Sequence, residues 1–590
     1  MANKNHSNIE IRRVVEYSHF FVGEKPIDVD AVLRQYDRNT LMRMAIILSC
    51  HYGNLFIPDS RRTLFSDVSD KHISKLNKLF KRFYERSNIP EGSPIIISTF
   101  RTALELWRHI FAIKPEDYKG TIKIEDTELT LFKILLSLNE KLVAFVHNDQ
   151  DYKLDELLYL NQFLTNDTNN FDFKRALQPQ LYYVYHLIQL CEKNDLMRKA
   201  SEVLFERWGI TSWQQYVGTL MYLANQTEEY RKGQKGGVPI INLQKLKEGD
   251  QTCLLSSSLV QALSIGEDEY IPYDDPDGRS SEQNIDYKVF RSKPFLRFKN
   301  GEYAIINIQL LCERVYNSLY FDFMPLINGR KGSVGFFDYN KDFVEKILFR
   351  KTFFNCLSYK QYTFPSRNDS SKKEEPNEPD FYSRRKSDLI ICECKAIKMN
   401  GSIRDDGDYH RLLDELHEKI VLKTKNLDPK RKEHKGEPEP IGIGQLLHHI
   451  ESIDGDTFQW DENIPDEVTY YPIIAFEDVR ILQPGLLSIL NRWFNEQLAK
   501  KKHLEHISCG CQPVMAVSIN TLYLYDNLIR NKGITRIIDE FVCTHSYKNE
   551  DGSITLFEDA DFDDYLRRNP FRKSNDLGKW LTRKSVGQNS

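Results

Sequence analysis

The stretch Asp388-Leu-Ile-Ile-Cys-Glu-Cys-Lys395 constrains the chain more than any other. Leu389 to Cys394 is the near-continuous apolar run of a strand covered on both faces. Yet Glu393 sits inside it and Lys395 closes it. Side chains alternate faces along a strand, so Glu393 and Lys395 project together while Cys392 and Cys394 point the other way. A buried carboxylate costs free energy unless its charge is compensated. Asp380 stands thirteen residues before Glu393, just after Pro379, which punctuates the start of a preceding strand. If residues 380–384 and 389–395 pair as a hairpin, Asp380 comes beside Glu393. Two carboxylates and one ammonium then converge. Asp388 competes as the partner carboxylate, but five residues from Glu393 is short for a hairpin partner, so Asp380 is favoured.

A divalent cation would compensate such a group. Mg2+ takes one or two carboxylates, waters and a substrate phosphate. It lowers the pKa of a bound water and neutralises charge on a phosphodiester. A neighbouring lysine can hold or deprotonate the attacking water, or stabilise developing charge.

Pro379-Asp380 followed by Glu393-Cys394-Lys395 resembles the PD-(D/E)xK nuclease superfamily, the restriction-endonuclease-like fold. The resemblance covers about residues 331 to 530. In that family a helix before the motif often carries an acidic residue facing the metal, and Glu345 in DFVEKIL occupies that place. A later helix often carries a glutamine or lysine near the site, and Gln445 in GIGQLLHHI occupies that one. The resemblance implies that Asp380, Glu393 and the Cys394 backbone carbonyl bind Mg2+, with Mn2+ able to substitute. It implies that Lys395 activates water, that Glu345 assists a metal or water, and that Gln445 positions the scissile strand or the lysine. The plainer readings are a surface pair for Glu393 and Lys395, an exposed helix glutamate for Glu345, and a helix-start polar residue for Gln445.

The pattern of the rest of the chain sets an architecture. Residues 1–235 read as a helical N-terminal domain. In Asp70 to Arg86 the apolar residues Ile73, Leu76, Leu79, Phe80 and Phe83 fall at helical spacing, with Ser69 or Asp70 as cap. Lys75, Lys78, Lys81 and Arg82 lie largely off that stripe, as on a solvated face. Leu129 to Leu142 and Leu181 to Cys191 also read as helices. Gly233 to Gly237 reads as a linker. Residues 236–330 form a mixed α/β segment, in which Asn300-Gly301 suits a type I′ hairpin turn, followed by a helix in LLCERVYNSLYFDFM. Residues 331–545 read as an α/β domain with a central mixed sheet flanked by helices. Its helices are expected over Tyr339 to Phe354, Tyr409 to Leu422, Gly444 to Ile453 and Leu486 to Lys502. Its further strands are YYPIIAF, at Tyr470 to Phe476, and Val514 to Ile519. Polar loops are expected at SRNDSSKKEEPNE and at Asn426 to Pro440. Residues 546–590 form a charged tail whose Phe571, Trp580 and basic residues read mainly as a solvated end and secondarily as a phosphate and base contact.

Composition excludes several classes. The chain has 590 residues, enough for three or four domains, and a net charge of −4, so any nucleic-acid surface must be a local basic patch. No stretch has the length of a membrane span or a signal core. Ten scattered cysteines fit a reducing cytoplasm. No phosphate-binding G-x-x-x-x-G-K-[ST] loop is present, which argues against an ATP-driven mechanism. His503, His506, Cys509 and Cys511 crowd into nine residues, whereas zinc sites draw on separated ligand pairs, so zinc is not expected. His448-His449 reads as one core and one surface histidine, with a lesser chance of a substrate contact.

The sequence expectation is therefore a Mg2+-dependent endonuclease acting on DNA. By analogy with helical chains that carry such domains, it would be a bacterial restriction or phage-defence effector. Its partners would be DNA, or RNA as the lesser alternative, with no membrane. A homo-oligomer, or a protein trigger acting through the N-terminal domain, would complete it. The alternatives are a catalytically silent nucleic-acid-binding or scaffolding protein of nuclease-like fold, and an RNA-directed nuclease.

Overall fold

The structure is a computed structural model. It describes residues 13–51, 70–90, 93, 95–123, 126–143, 152–165, 172–232, 239–243, 255–274, 285–357, 378–406, 409–423, 439–550 and 553–570. Ser69, the 233–237 linker, residues 366–377 of the first polar loop, residues 426–438 of the second, and Phe571 to Lys584 lie outside them. The chain is mostly helical with small mixed sheets, and no sheet among the described residues closes into a barrel. No described helix is long and apolar enough to cross a membrane.

The chain divides into two compact units. One comprises Met1–Asp149, Leu164–Ala176 and Leu204–Ser318; the other comprises Gln150–Phe163, Leu177–Val203 and Leu319–Ser590. Residues 150–163 and 177–203 cluster with Leu319–Ser590, and long-range polar contacts tie them there. Arg492 reaches the buried Asp155 at 2.7 Å, and the Tyr183 hydroxyl donates to Asn520. Such pairs, more than 300 residues apart, leave no local pattern to read.

In the first unit the helix Asp70–Ser87 buries Leu76, Phe80 and Phe83, the expected stripe, while Lys78, Lys81 and Arg82 stay exposed. Phe20 joins this core, stacked on Phe83 at 4.9 Å and edge-on to Phe132 at 5.2 Å. The expected hairpin is present, with Phe295 opposite Ile305 and Arg297 opposite Tyr303. Its turn is not type I′, since positive φ occurs at Gly301 alone. The turn runs from Phe298 to Gly301, closed by the Gly301 N–H donating to the Phe298 carbonyl at 3.0 Å. Asn300 avoids the left-handed region because its side chain is engaged by the Glu302 N–H at 3.0 Å. The helix expected in LLCERVYNSLYFDFM is broken into Ile308–Arg314 and Leu319–Ile327, and the units divide between them.

The second unit is built on a four-stranded mixed sheet in the order Met515–Ser518, Thr469–Phe476, Asp388–Lys395, Phe381–Arg385. The first three strands are mutually parallel, and the last pairs antiparallel with Asp388–Lys395. Asp388–Lys395 is thus central, as its apolar run requires, and Leu389 to Cys394 are buried. Thr469–Phe476 tolerates Pro472 because on the Met515–Ser518 side it falls in the gap between the Tyr470–Cys511 bridge and the ladder that begins at Ile473. The helices Tyr409–Ile420, Ile443–Asp454 and Leu486–Ala499 appear close to their expected bounds.

Candidate active site

The hairpin sets the site. Arg385 pairs with Asp388 around Lys386-Ser387, and Lys386 takes a positive φ of 54° to turn the chain. The register then runs outward to Phe381 opposite Cys392, so the next position places Asp380 opposite Glu393. The Asp380 carboxylate accepts the Cys394 N–H at 2.7 Å. The N–H and C=O of a strand residue address the same neighbour, so the Cys394 carbonyl faces the Asp380 side. The next residue faces the other way, with the Lys395 carbonyl accepting from the Glu477 N–H. Asp388 lies beside the turn, at the opposite end of the strand from Lys395, and does not join the group.

Glu393 is 1% exposed and Lys395 14%. Lys395 Nζ donates to Glu393 Oε2 at 3.4 Å and to Gln445 Oε1 at 2.8 Å. Gln445 sits in the first turn of Ile443–Asp454, and its Oε1 also accepts the Gly442 N–H at 2.9 Å. That second bond fixes the amide, so Gln445 holds the lysine in place. Gly442 is required here. It has a φ of 48°, and a Cβ would stand 2.5 Å from the Ile420 carbonyl oxygen and 3.2 Å from Lys395 Cε.

Glu345 belongs to the run Tyr339–Phe349, which is π-helical: the Arg350 N–H reaches the Glu345 carbonyl five residues back. Such turns are uncommon and cluster at functional sites. Asp338 caps the run through the Lys341 N–H at 3.0 Å, and Asn340 donates to the Ala396 carbonyl at 3.3 Å, docking the helix onto the end of the lysine strand.

The electrostatics are unbalanced. Burial and the neighbouring Glu393 hold the Asp380 carboxyl well above its ordinary pKa, against the pull of Lys395. Burial also raises Glu345, helped by Asp338 and Glu393, although Lys395 opposes it. Burial would raise Glu393 as well, but Lys395 and the bond from His449 overcome it and leave that carboxyl below its usual range. For Lys395 burial favours the neutral amine, yet Glu393 and Asp380 outweigh it and the ammonium is retained. Three carboxylates share one lysine.

Sequence reasoning took His448-His449 as one core and one surface histidine, as their burial has it, but it missed the contact of the core one with Glu393, and it missed Gly442. His449 is 2% exposed, and its Nε2 meets Glu393 Oε1 at 3.1 Å, while His448 is exposed. A signal was present: Gln445 and His449 are four apart and share a helix face. His503 pairs with Glu451 at 3.0 Å and His506 with Asp454 at 2.7 Å, so the two histidines serve carboxylates of the helix Ile443–Asp454.

Whether these residues suit a divalent cation follows from their chemistry. Asp380, Glu393, Glu345 and the Cys394 carbonyl are hard oxygen donors, and their mutual repulsion is the charge deficit a cation would fill. Among the described residues no three acidic, histidine or cysteine side chains already stand in ligating positions. The cause is visible: Asp380 is turned onto the Cys394 amide, and Glu393 is taken up by Lys395 and His449. The donor set fits Mg2+ or Mn2+, with side-chain rotation needed to close on it.

Comparison of the chain with family models, with curated proteins and with solved structures returns no match.

Proposed function

We propose that the second unit is a metal-dependent nuclease centre of the PD-(D/E)xK type, with a restriction-endonuclease-like sheet, acting on DNA. The observation that carries the reading is the hairpin register, which sets Asp380 opposite Glu393 with Lys395 on the same face. The order of elements supports it: acidic helix, hairpin, glutamine-bearing helix, then parallel strand.

Asp380, Glu393 and the Cys394 carbonyl would hold Mg2+, with Glu345 turned toward it. When bound, the cation would supply a more acidic water and neutralise phosphate charge. Lys395, an ammonium among its carboxylates in the metal-free site, would donate to the negative oxygens of a phosphodiester and orient the attacking water. Gln445 fixes the direction of that donation. His449 orients Glu393 from the side away from Lys395, as second partners of metal-binding carboxylates do. The cytoplasmic, defence-related setting suggested by the sequence and the sensing role of the helical unit stay part of this proposal.

The test is cleavage of supercoiled plasmid with Mg2+ or Mn2+ by the wild-type chain and by Lys395→Ala. Nicking by the wild type alone supports the reading. Absence of cutting together with absence of metal binding would leave the charges as a structural pair, and the protein as a binding or scaffolding one. Cutting of RNA with DNA untouched would move the substrate to RNA.

A further inference from the structure

Phe336 is 72% exposed, the highest value among the described large hydrophobic side chains. It is not on a frayed end. Asn328 bridges Phe336 in antiparallel fashion. The Val334 N–H donates to the Leu326 carbonyl at 2.7 Å and the Phe337 N–H to the Ile327 carbonyl at 2.8 Å. The tip is closed by the Ser333 N–H donating to the Arg330 carbonyl at 2.9 Å, with positive φ at Gly332. Gly335 seats the hairpin tightly, since a Cβ there would lie 2.2 Å from Leu196 Cδ1. The fold therefore holds Phe336 out into solvent. Val334, two residues away and on the same face, is exposed with it.

The charged residues of the hairpin itself are basic, and the next acidic residue, Asp338, caps the following helix through the Lys341 N–H. Residues Asn328 to Phe337 include Arg330 and Lys331, both exposed, and no acidic residue. The hairpin also leads straight into the acidic centre. Phe336 lies four residues before Asn340, so its Cα is within roughly 15 Å of the residue that docks on Ala396, next to Lys395. On the preceding helix Tyr320 sits under Lys398 Nζ at 5.8 Å, although Lys398 is itself paired with Glu477.

We infer that this hairpin binds single-stranded DNA beside the cleavage centre, with Phe336 stacked on an unpaired base and Arg330 and Lys331 contacting flanking phosphates. The inference rests on the nuclease reading for its orientation but not for its test. A single strand offers both features the surface asks for, a free π face and regularly spaced negative charge, whereas a duplex hides its base faces in the stack. An apolar protein partner would match Phe336 and Val334 but not the two exposed cations.

The experiment is fluorescence anisotropy of a labelled single-stranded DNA oligonucleotide, in EDTA, with wild type, Phe336→Ala and Phe336→Trp. Cleavage in Mg2+ is followed on the same oligonucleotide. Phe336→Ala should bind about tenfold or more weakly, Phe336→Trp should bind like wild type, and affinity for a blunt duplex should not change. Arg330→Ala with Lys331→Ala should flatten the salt dependence of single-strand binding. Unchanged single-strand binding by Phe336→Ala overturns the inference, as does a Phe336-dependent preference for RNA. A wild type that cuts but ignores Phe336 refutes the hairpin and leaves the nuclease standing. A wild type that binds through Phe336 and neither cuts nor binds metal supports the hairpin and refutes the nuclease.

Discussion

Asp380 stands opposite Glu393, one position beyond the Phe381–Cys392 pair of the hairpin, and its carboxylate is tied to the Cys394 N–H at 2.7 Å. Two like charges are thus held together by backbone register, where side-chain rotation alone cannot part them.

That repulsion is measurable. Asp380→Asn keeps an oxygen for the Cys394 N–H and removes one charge. The metal-free protein should melt at the same temperature as wild type or higher, while stabilisation by Mn2+ should disappear. Differential scanning fluorimetry with and without Mn2+ checks both. A metal-free variant that melts well below wild type would mean that the carboxylate is structural.

Gln445 acts through Lys395, so its loss should show as misplacement. Gln445→Ala should lower plasmid cleavage by roughly 10- to 100-fold and leave the Mn2+-induced rise in melting temperature intact. Gln445→Glu, which retains an acceptor, should recover part of the rate. Equal loss of metal binding in Gln445→Ala would place the residue among the ligands.

Gly442→Ala should cost about 1–3 kcal/mol of stability, because φ is 48° and the added Cβ meets the Ile420 carbonyl oxygen at 2.5 Å. Relief of that contact moves the helix start that carries Gln445, so activity should fall with stability. Urea unfolding beside a cleavage assay reads both. A fully stable variant would show that the turn relaxes freely.

His186 provides a pH signal away from the site. Burial, with Lys351 beside it, depresses its pKa from 6.5 to about 4. Between these values the unfolded chain binds the proton and the folded one does not. The stability His186 allows is therefore full above pH 6.5 and is lost as pH falls toward 4, by roughly 3 kcal/mol in all. His186→Gln should lose correspondingly less stability between pH 7 and pH 4 in urea unfolding. Parallel curves for the two proteins would show that the imidazole is hydrated or relocates when charged.

Much of the centre was legible in the sequence because it is local. The alternation of DLIICECK puts Glu393 and Lys395 on one face, and pairing 380–384 with 389–395 brings Asp380 back beside them; the two-residue turn at Lys386-Ser387 is what the structure adds. Helical periodicity likewise marked Asp70–Ser87 and Ile443–Asp454 within a few residues. The turn at Asn300-Gly301 was misjudged because a side-chain bond to the Glu302 N–H outweighed the dipeptide preference.

What the sequence determined by itself is the charged central strand and its hairpin, since both follow from the two-residue period of a strand and the reach of a tight turn. Only the tertiary structure decided that His449 meets Glu393, that Gln445 pins Lys395, and that residues 150–163 and 177–203 join the second unit. Those contacts span from 50 to more than 300 residues, and packing across such separations depends on shape and charge brought together from distant segments, which no local period records.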